Sequence, residues 1–563
     1  MRSVPYEGPD SANQPFSPAS SAGFALGATQ GLVSGVTPVP GGPRVLHVGN
    51  VANNGYSVSR LLRRAGVDSI ALAVDYYHIM GCPEWEAAEM DRVPTDHFFP
   101  DWSDVNLREF ERPRWFVQGP LAQCAGYLGA VRGGSQGDIE AAWQRLELAR
   151  QVLCSKKLGL FRSVVERAKG VAKALPGPLE SSMRRTWKGL VGTAGRLLET
   201  MGRARHPEVQ RTGASSSAGA ALSREAFAEH AKALVADFRT KFPDRRDRLT
   251  VDEVLPYYEE AAVCAQIMQG FDVVQAYGAD VLRPMLAGAR PYVAFEHGTL
   301  RDFTLGDCTL HRLTALAYAR ANHVFITNGD CLTFAEKLGI TRYSPMIHPV
   351  DEALYRSPRT DPGALRQKFG SDVLLYCPIR HDWSVKGTDV FIRLLPTLRE
   401  KLRPRSFKLV FSPWGADVER SRALVRELGC EDLVEWHGPL HRLQFIRMIR
   451  ASDVVLDQMI LPCFGATAPE AIASGTPVIM SYDLKSTEWI IDEPAPILSA
   501  RSPEQAVGAI LQALEPEYRE QFRQSSWQWF LKNHSAQRLI DEHLRVYQSV
   551  TGRPFRPVAA DSE

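Results

Sequence analysis

At 563 residues the chain is too long for one core, and about three domain-sized units are expected. Hydrophobic residues at 44% and charged residues at 23% are globular proportions, and a formal net charge of +2 gives no global field for nucleic acid. The 9 cysteines form no Cys-x-x-Cys pair, which reads as reduced thiols and argues against a disulfide frame or a zinc site.

In chain order, residues 1–43 are rich in Gly, Ser, Pro and Ala without apolar periodicity and read as a disordered tail. The N-terminus shows no signal-peptide pattern, and no stretch nears the roughly 18–20 uncharged apolar residues of a bilayer span. The expected location is the cytoplasm, with any membrane contact peripheral. Arg44 to Val48, a helix-like stretch Tyr56 to Ala65, and Ser69 to Val74 make a β-α-β unit and predict a parallel sheet. A further strand is expected at Trp115 to Gln118. Residues 137–268 are helical in character and read as an insertion, broken by Pro176-Gly177-Pro178 and by a loose patch from Thr212 to Ala221. Strand-helix rhythm resumes at Asp272 to Ala276, Pro291 to Phe295 and His323 to Thr327, which closes a first domain of 44–350.

After Pro349-Val350-Asp351 the rhythm is cleaner. Apolar runs at Val373–Cys377, Phe407–Phe411, Leu433–Trp436, Asp453–Leu456, Pro477–Met480 and Ala495–Leu498 alternate with helix-length charged segments. Six such strands predict a doubly wound domain, 351–535, followed by a C-terminal helix and tail, 536–563. Two doubly wound sheets in tandem bind a ligand where the carboxyl ends of their strands face each other.

The chemistry-bearing residues gather in the second domain. Arg380 and Lys386 flank one loop between a strand end and a helix start, a metal-free seat for a diphosphate. Some eighty residues on, Gly465-Ala466-Thr467 lead into a short helix carrying Glu470, stopped by Gly475 before Pro477-Val478. There the N–H groups at 465–467 face a phosphate, while the carboxylate can accept from a vicinal diol such as a ribose.

Arg380 through Lys386-Gly387, with Phe464-Gly465, Glu470-Ala471 and Gly475-Thr476-Pro477-Val478, resembles the donor half of retaining GT-B glycosyltransferases of family 4. The resemblance is good over 370–550 and weaker over 44–74 and 270–350. It implies two Rossmann-like domains facing across a cleft. The activity it implies is transfer of a sugar from a nucleotide-diphosphate donor to a glycan or lipid-linked acceptor, with retention and without metal or cofactor. It puts the diphosphate on Arg380 and Lys386 and the ribose on Glu470. Trp436-His437-Gly438 resembles the loop near the base. His297, in Glu296-His297-Gly298-Thr299, would hydrogen-bond the donor sugar and completes the catalytic set. Asn54 and Gly55 sit where the family has its glycine-rich first loop, on the acceptor side, and Thr327-Asn328 also closes a strand there. One departure stands out: the earlier of the family's two glutamates falls on Pro462, and Asp457 or Gln458 is positioned to take over its contact. That proline keeps open a second reading, a non-catalytic nucleotide-sugar-binding scaffold.

Between Cys154 and Arg205, 12 Lys or Arg face three Glu with Phe161 and Trp187 interleaved. This pattern suits either a solvated insertion or a dock on anionic lipid; no nucleic-acid module is visible. A dock predicts that the protein floats with anionic vesicles at low salt, and absence of flotation removes it.

Overall fold

The computed structural model describes residues 43–155, 222–302, 304–462 and 465–555. The tail 1–42, the basic stretch from residue 156 onward and the patch Thr212 to Ala221 lie outside the described residues.

The apolar runs become strands within a residue of their expected bounds, except that the last, expected at Ala495–Leu498, starts three residues later, at Leu498. β1 (Arg44–Val48), β2 (Asp68–Val74), β3 (Phe116–Gly119), β4 (Val273–Tyr277), β5 (Tyr292–Phe295), β6 (His323–Ile326) and β7 (Tyr343–Pro345) form one sheet in the order β3-β2-β1-β4-β5-β6-β7. β7 was not anticipated; three residues are too few for a periodic signal. β8 (Val373–Cys377), β9 (Phe407–Phe411), β10 (Val434–Trp436), β11 (Val454–Leu456), β12 (Val478–Met480) and β13 (Leu498–Ser499) form the second, β10-β9-β8-β11-β12-β13. Every pairing is parallel. The fold is therefore α/β with two doubly wound, Rossmann-like sheets.

Parallel neighbours must be joined by crossovers that cover both faces, so the strands are rich in apolar residues and the central ones are buried. All seven residues of β2 and all five of β8 are buried. The longest crossover runs from edge strand β3 to β4 beside β1 and contains the segment expected as an insertion. That expectation needs correction at both ends. Helices Gln136–Cys154, Arg224–Lys241 and Tyr258–Met268 belong to the helical layer of the first sheet. Leu146, Phe227, Leu234 and Phe238 are fully buried in one core with Leu46, Val117 and Val274. The first of these helices starts at a capping box, where Ser135 Oγ accepts from Asp138 N and the Asp138 carboxylate accepts from Ser135 N at 2.9 Å.

A second core takes residues from both sheets, including Val45, Val273 and Phe295 with Leu374, Tyr376 and Val455, and is closed by the C-terminal helices. Helix Ala536–Thr551 crosses back onto the first sheet through a buried polar chain. Gln275 Oε1 accepts from Tyr547 Oη at 2.7 Å, and Gln275 Nε2 donates to Tyr277 Oη at 2.8 Å and faces His543 Nε2 at 3.2 Å. His543 Nδ1 faces the Leu539 carbonyl at 2.7 Å, so Nε2 is the acceptor. Burial holds this imidazole neutral, pushed down to about 4.

Replacing Gln275 with Leu leaves the Tyr547 hydroxyl and His543 Nε2 short of a buried partner, while Tyr277 keeps His47 Nδ1 at 2.8 Å. Each orphan costs about 1–3 kcal/mol, so chemical denaturation is expected to show a loss of that order, with the C-terminal helix the first segment cut in limited proteolysis.

Candidate functional site

Each sheet reverses its strand order beside its first strand, between β1 and β4 and between β8 and β11. The crevice outside the carboxyl ends at these points is where such sheets take ligands. The loops leaving β8 and β11 carry most of the residues singled out from sequence.

The loop after β8 is wound around Asp382. Its carbonyl accepts from Lys386 N at 2.7 Å and Gly387 N at 3.2 Å, and its carboxylate accepts from Val385 N at 3.1 Å. Gly387 has φ +66°, and a Cβ there would lie 3.0 Å from Ile460, so this turn needs glycine. The Arg380 side chain is 44% exposed with Asp382 at 3.3 Å. Lys386 Nζ donates to Gln458 Oε1 and lies near Asp457 and His348. The loops after β8 and β11 therefore meet at Lys386. Of the two residues expected to stand in for the glutamate lost at Pro462, Gln458 holds the lysine. Asp457 is buried, accepts from Gln458 N at 2.8 Å and faces the N–H of Ala468.

Gly465, Ala466 and Thr467 open the helix Thr467–Ser474, where the phosphate-facing N–H groups were expected. Glu470 sits in its first turn, and its environment differs from an open diol-binding groove. The carboxylate is 4% exposed, accepts from Arg442 Nη1 and hydrogen-bonds the Tyr355 hydroxyl. Burial raises its pKa above the ordinary carboxylate value, the Arg442 charge opposing. His437 follows edge strand β10, two strands from β8, and turns its Nδ1 to the Gly438 carbonyl at 3.1 Å.

From the first sheet, Glu296-His297-Gly298 leaves the end of β5. His297 stacks on Tyr277 at 5.8 Å with the rings 12° from parallel, and its enclosed Nε2 has no hydrogen-bond partner among the described residues. Burial, with His348 adding to it, pushes His297 down to about 3, so the ring is neutral. His348 lies at the domain junction, between His297 and Lys386 in its electrostatic contacts. Glu296 is fully buried; its Oε1 accepts from Gly298 N and from Cys331 Sγ at 3.3 Å. Burial raises it to about 7. Asn54 is half-buried and donates to the Val51 carbonyl at 2.9 Å. Gly55 is required because a Cβ would lie 2.3 Å from the Gly49 carbonyl. Ala52 and Asn53 hold φ of 49° and 59°, local strain of the kind that gathers at ligand sites. Thr327 Oγ1 donates to the Glu296 carbonyl at 3.0 Å and takes part in the same turn.

Ion pairs bridge the two sheets beside this crevice. Arg442 contacts Glu86 as well as Glu470, Arg447 holds Glu89 through two bonds of 2.8 and 2.7 Å, and Asp351 receives Arg64 at 2.8 Å and Arg60 at 3.3 Å. Sequence reading missed Arg442, Tyr355, Glu86 and His348. None lies in a motif; only the Pro349-Val350-Asp351 junction pointed to the neighbourhood of His348. Among the described residues no cluster of His, Cys, Asp or Glu is suited to a metal ion, and no helix is long and apolar enough to cross a membrane.

Residues 372–529 match the family described as Glycosyl transferases group 1. Two proteins named D-inositol 3-phosphate glycosyltransferase are similar over part of their length. That of Corynebacterium aurimucosum is 34% identical over 98 residues, 17% of this chain and 23% of that protein. That of Acidothermus cellulolyticus is 29% identical over 142 residues, 24% and 31% respectively. The chain thus spans less than a third of the length of these curated relatives. Among solved structures, Anabaena HepE in complex with UDP and glucose aligns at TM-score 0.43 with 16% identity, over 57% of this chain and 96% of that one.

Glu296 makes stability depend on pH. Below the unfolded value near 4.5 both states hold the proton. Between there and about 7 only the folded state does, so stability falls as pH rises and levels off above 7. Glu296→Gln is expected to remove this fall, a difference of up to about 3 kcal/mol between pH 5 and 8. Paired denaturant titrations read it, since the neutral histidines contribute equally to both proteins.

Proposed function

We propose that this chain, whose residues 372–529 carry a group 1 glycosyl transferase domain, moves a sugar from a nucleotide-diphosphate donor to a glycan or lipid-linked acceptor. The observation that carries the reading is the meeting of the β8 and β11 loops at Lys386, with Arg380 exposed beside it and the Thr467–Ser474 helix opening onto the same crevice. Two cations and helix-end N–H groups favour a diphosphate, and more so as it departs and gains charge.

In this reading Arg380 and Lys386 hold the diphosphate, Glu470 receives the ribose, and His297 from the first sheet hydrogen-bonds the sugar. A neutral imidazole is suited to that task, because it offers a directional donor or acceptor without placing a second charge beside the reacting centre. The bond from the anomeric carbon to the phosphate oxygen breaks as the acceptor oxygen bonds to the same face. The acceptor proton passes to the departing phosphate oxygen, and the anomeric configuration is retained. Neutralisation by two cations lets the reaction proceed without a metal. The work of the protein is positioning and electrostatic stabilisation. The cytoplasm is the expected place of action.

The competing reading is a nucleotide-sugar-binding scaffold without catalysis. Pro462 favours it, as does the engagement of Glu470 by Arg442.

Titration of the protein with UDP, GDP and ADP, with and without magnesium, is expected to show tight, metal-independent binding of one diphosphate, lost in Glu470→Ala. Failure to bind any of them overturns the reading. Arg380→Ala is expected to lower kcat/KM by about 10²–10³ with the fold intact; binding without turnover in the unmodified protein selects the scaffold.

A further inference from the structure

Arg442 is the point at which the two sheets share one charge. It opens the helix Arg442–Ala451, which follows edge strand β10. Its Nε lies 3.1 Å from both carboxylate oxygens of Glu86, and its Nη1 donates to Glu470 Oε1. Glu86 belongs to the first domain, on helix Pro83–Ala87 between β2 and β3. Both carboxylates are buried, at 5% and 4% exposure. The other charges facing the group are Arg60, whose own contact is Asp351 at 3.3 Å, and Asp351 itself; Tyr355 supplies a hydroxyl. Nothing in the group is shared with the Arg447–Glu89 pair on the next turn of the same helix.

A carboxylate has about four acceptor positions. An arginine fork placed squarely on Glu470 would fill two, Tyr355 a third, and a ribose diol needs two. The structure avoids this conflict by turning the Nε edge of the guanidinium toward Glu86, so that only Nη1 reaches Glu470. The pull of Glu86 therefore decides how much of Glu470 stays available.

We infer that Glu86 is a positioning residue for nucleoside recognition: by holding the Nε edge of Arg442 it limits that guanidinium to one bond on the buried Glu470 carboxylate and leaves acceptor positions there for the ribose hydroxyls, so the first domain sets the ribose selectivity of the second. This rests on the reading of Glu470 as the ribose seat. Without the Glu86 charge the guanidinium is free to swing its fork onto Glu470. Binding then loses the diol contacts while the diphosphate contacts at Arg380 and Lys386 remain.

The readout is selectivity, which general loosening of the fold would not move. The full chain is titrated with a ribonucleoside diphosphate and its 2′-deoxy counterpart (UDP and dUDP, GDP and dGDP, or ADP and dADP, according to which base binds). The unmodified protein is expected to prefer the ribo form. Glu86→Gln is expected to reduce that preference about tenfold, mainly by weakening the ribo form. Glu89→Gln, which removes a bridging ion pair from the same interface, is expected to keep the preference. Should Glu86→Gln fail to fold, Glu86→Asp retracts the charge by one methylene and is expected to show a smaller reduction of the same kind. Full preference in the Glu86 variants, or equal loss in the Glu86 and Glu89 variants, overturns the inference. Equal binding of ribo and deoxy forms by the unmodified protein overturns the ribose reading on which it stands.

Discussion

Two parallel strands cannot be joined by a tight turn; the chain must return along a crossover to the starting edge. Most of what is particular to this molecule follows from that constraint. Strands covered on both faces become fully buried, as β2 and β8 are. Polar chemistry is pushed into the loops at the strand ends, and the strand-order reversals beside β1 and β8 open a crevice among them. The same constraint makes the connection from β3 to β4 long, since it must cross the sheet to reach the far side of β1. The helices of that connection are the first sheet's covering layer, with Leu146 and Phe238 in its core.

Around the crevice, charge is handled by pairing. Arginine predominates among the described bridging cations: Arg442 and Arg447 reach Glu86 and Glu89, and Arg60 and Arg64 reach Asp351. A planar fork matches a carboxylate and tolerates desolvation better than an ammonium does. Such pairs add little net stability, because desolvation offsets much of the attraction, while loss of one partner leaves a buried charge. Their value here is geometric. They tie the relative placement of the two sheets to the state of the groups in the crevice, Glu470 above all.

The histidines and carboxylates divide accordingly. His297 and His348 are buried deeply enough to stay neutral, while Glu296 and Glu470 are pushed toward protonation by the same burial. Lys386 keeps company with Gln458 and Asp457, so the cation nearest the expected diphosphate is already held in place before any ligand arrives.

Periodicity in the sequence was enough to determine two doubly wound sheets, because apolar runs of four to seven residues between helix-length segments leave few other solutions. The spacing from Arg380 to Glu470 likewise placed Arg380 on the β8 loop and Glu470 on the helix that follows the β11 loop, since a motif tied to strand ends travels with the strands. The three-residue β7 escaped because it is too short to show a period. The role of the 137–268 flanks escaped because a helix covering a sheet and a helix in an appendage have similar local patterns. Arg442, Glu86, Tyr355 and His348 were decided by tertiary structure alone. They are hundreds of residues apart or outside any motif, and Arg442 with Glu86 spans 356 positions of the chain. Local sequence states which side chains can carry charge or a proton. Only the folding of one domain against the other decides which of them share it, because electrostatic partnership depends on distance in space and not on distance along the chain.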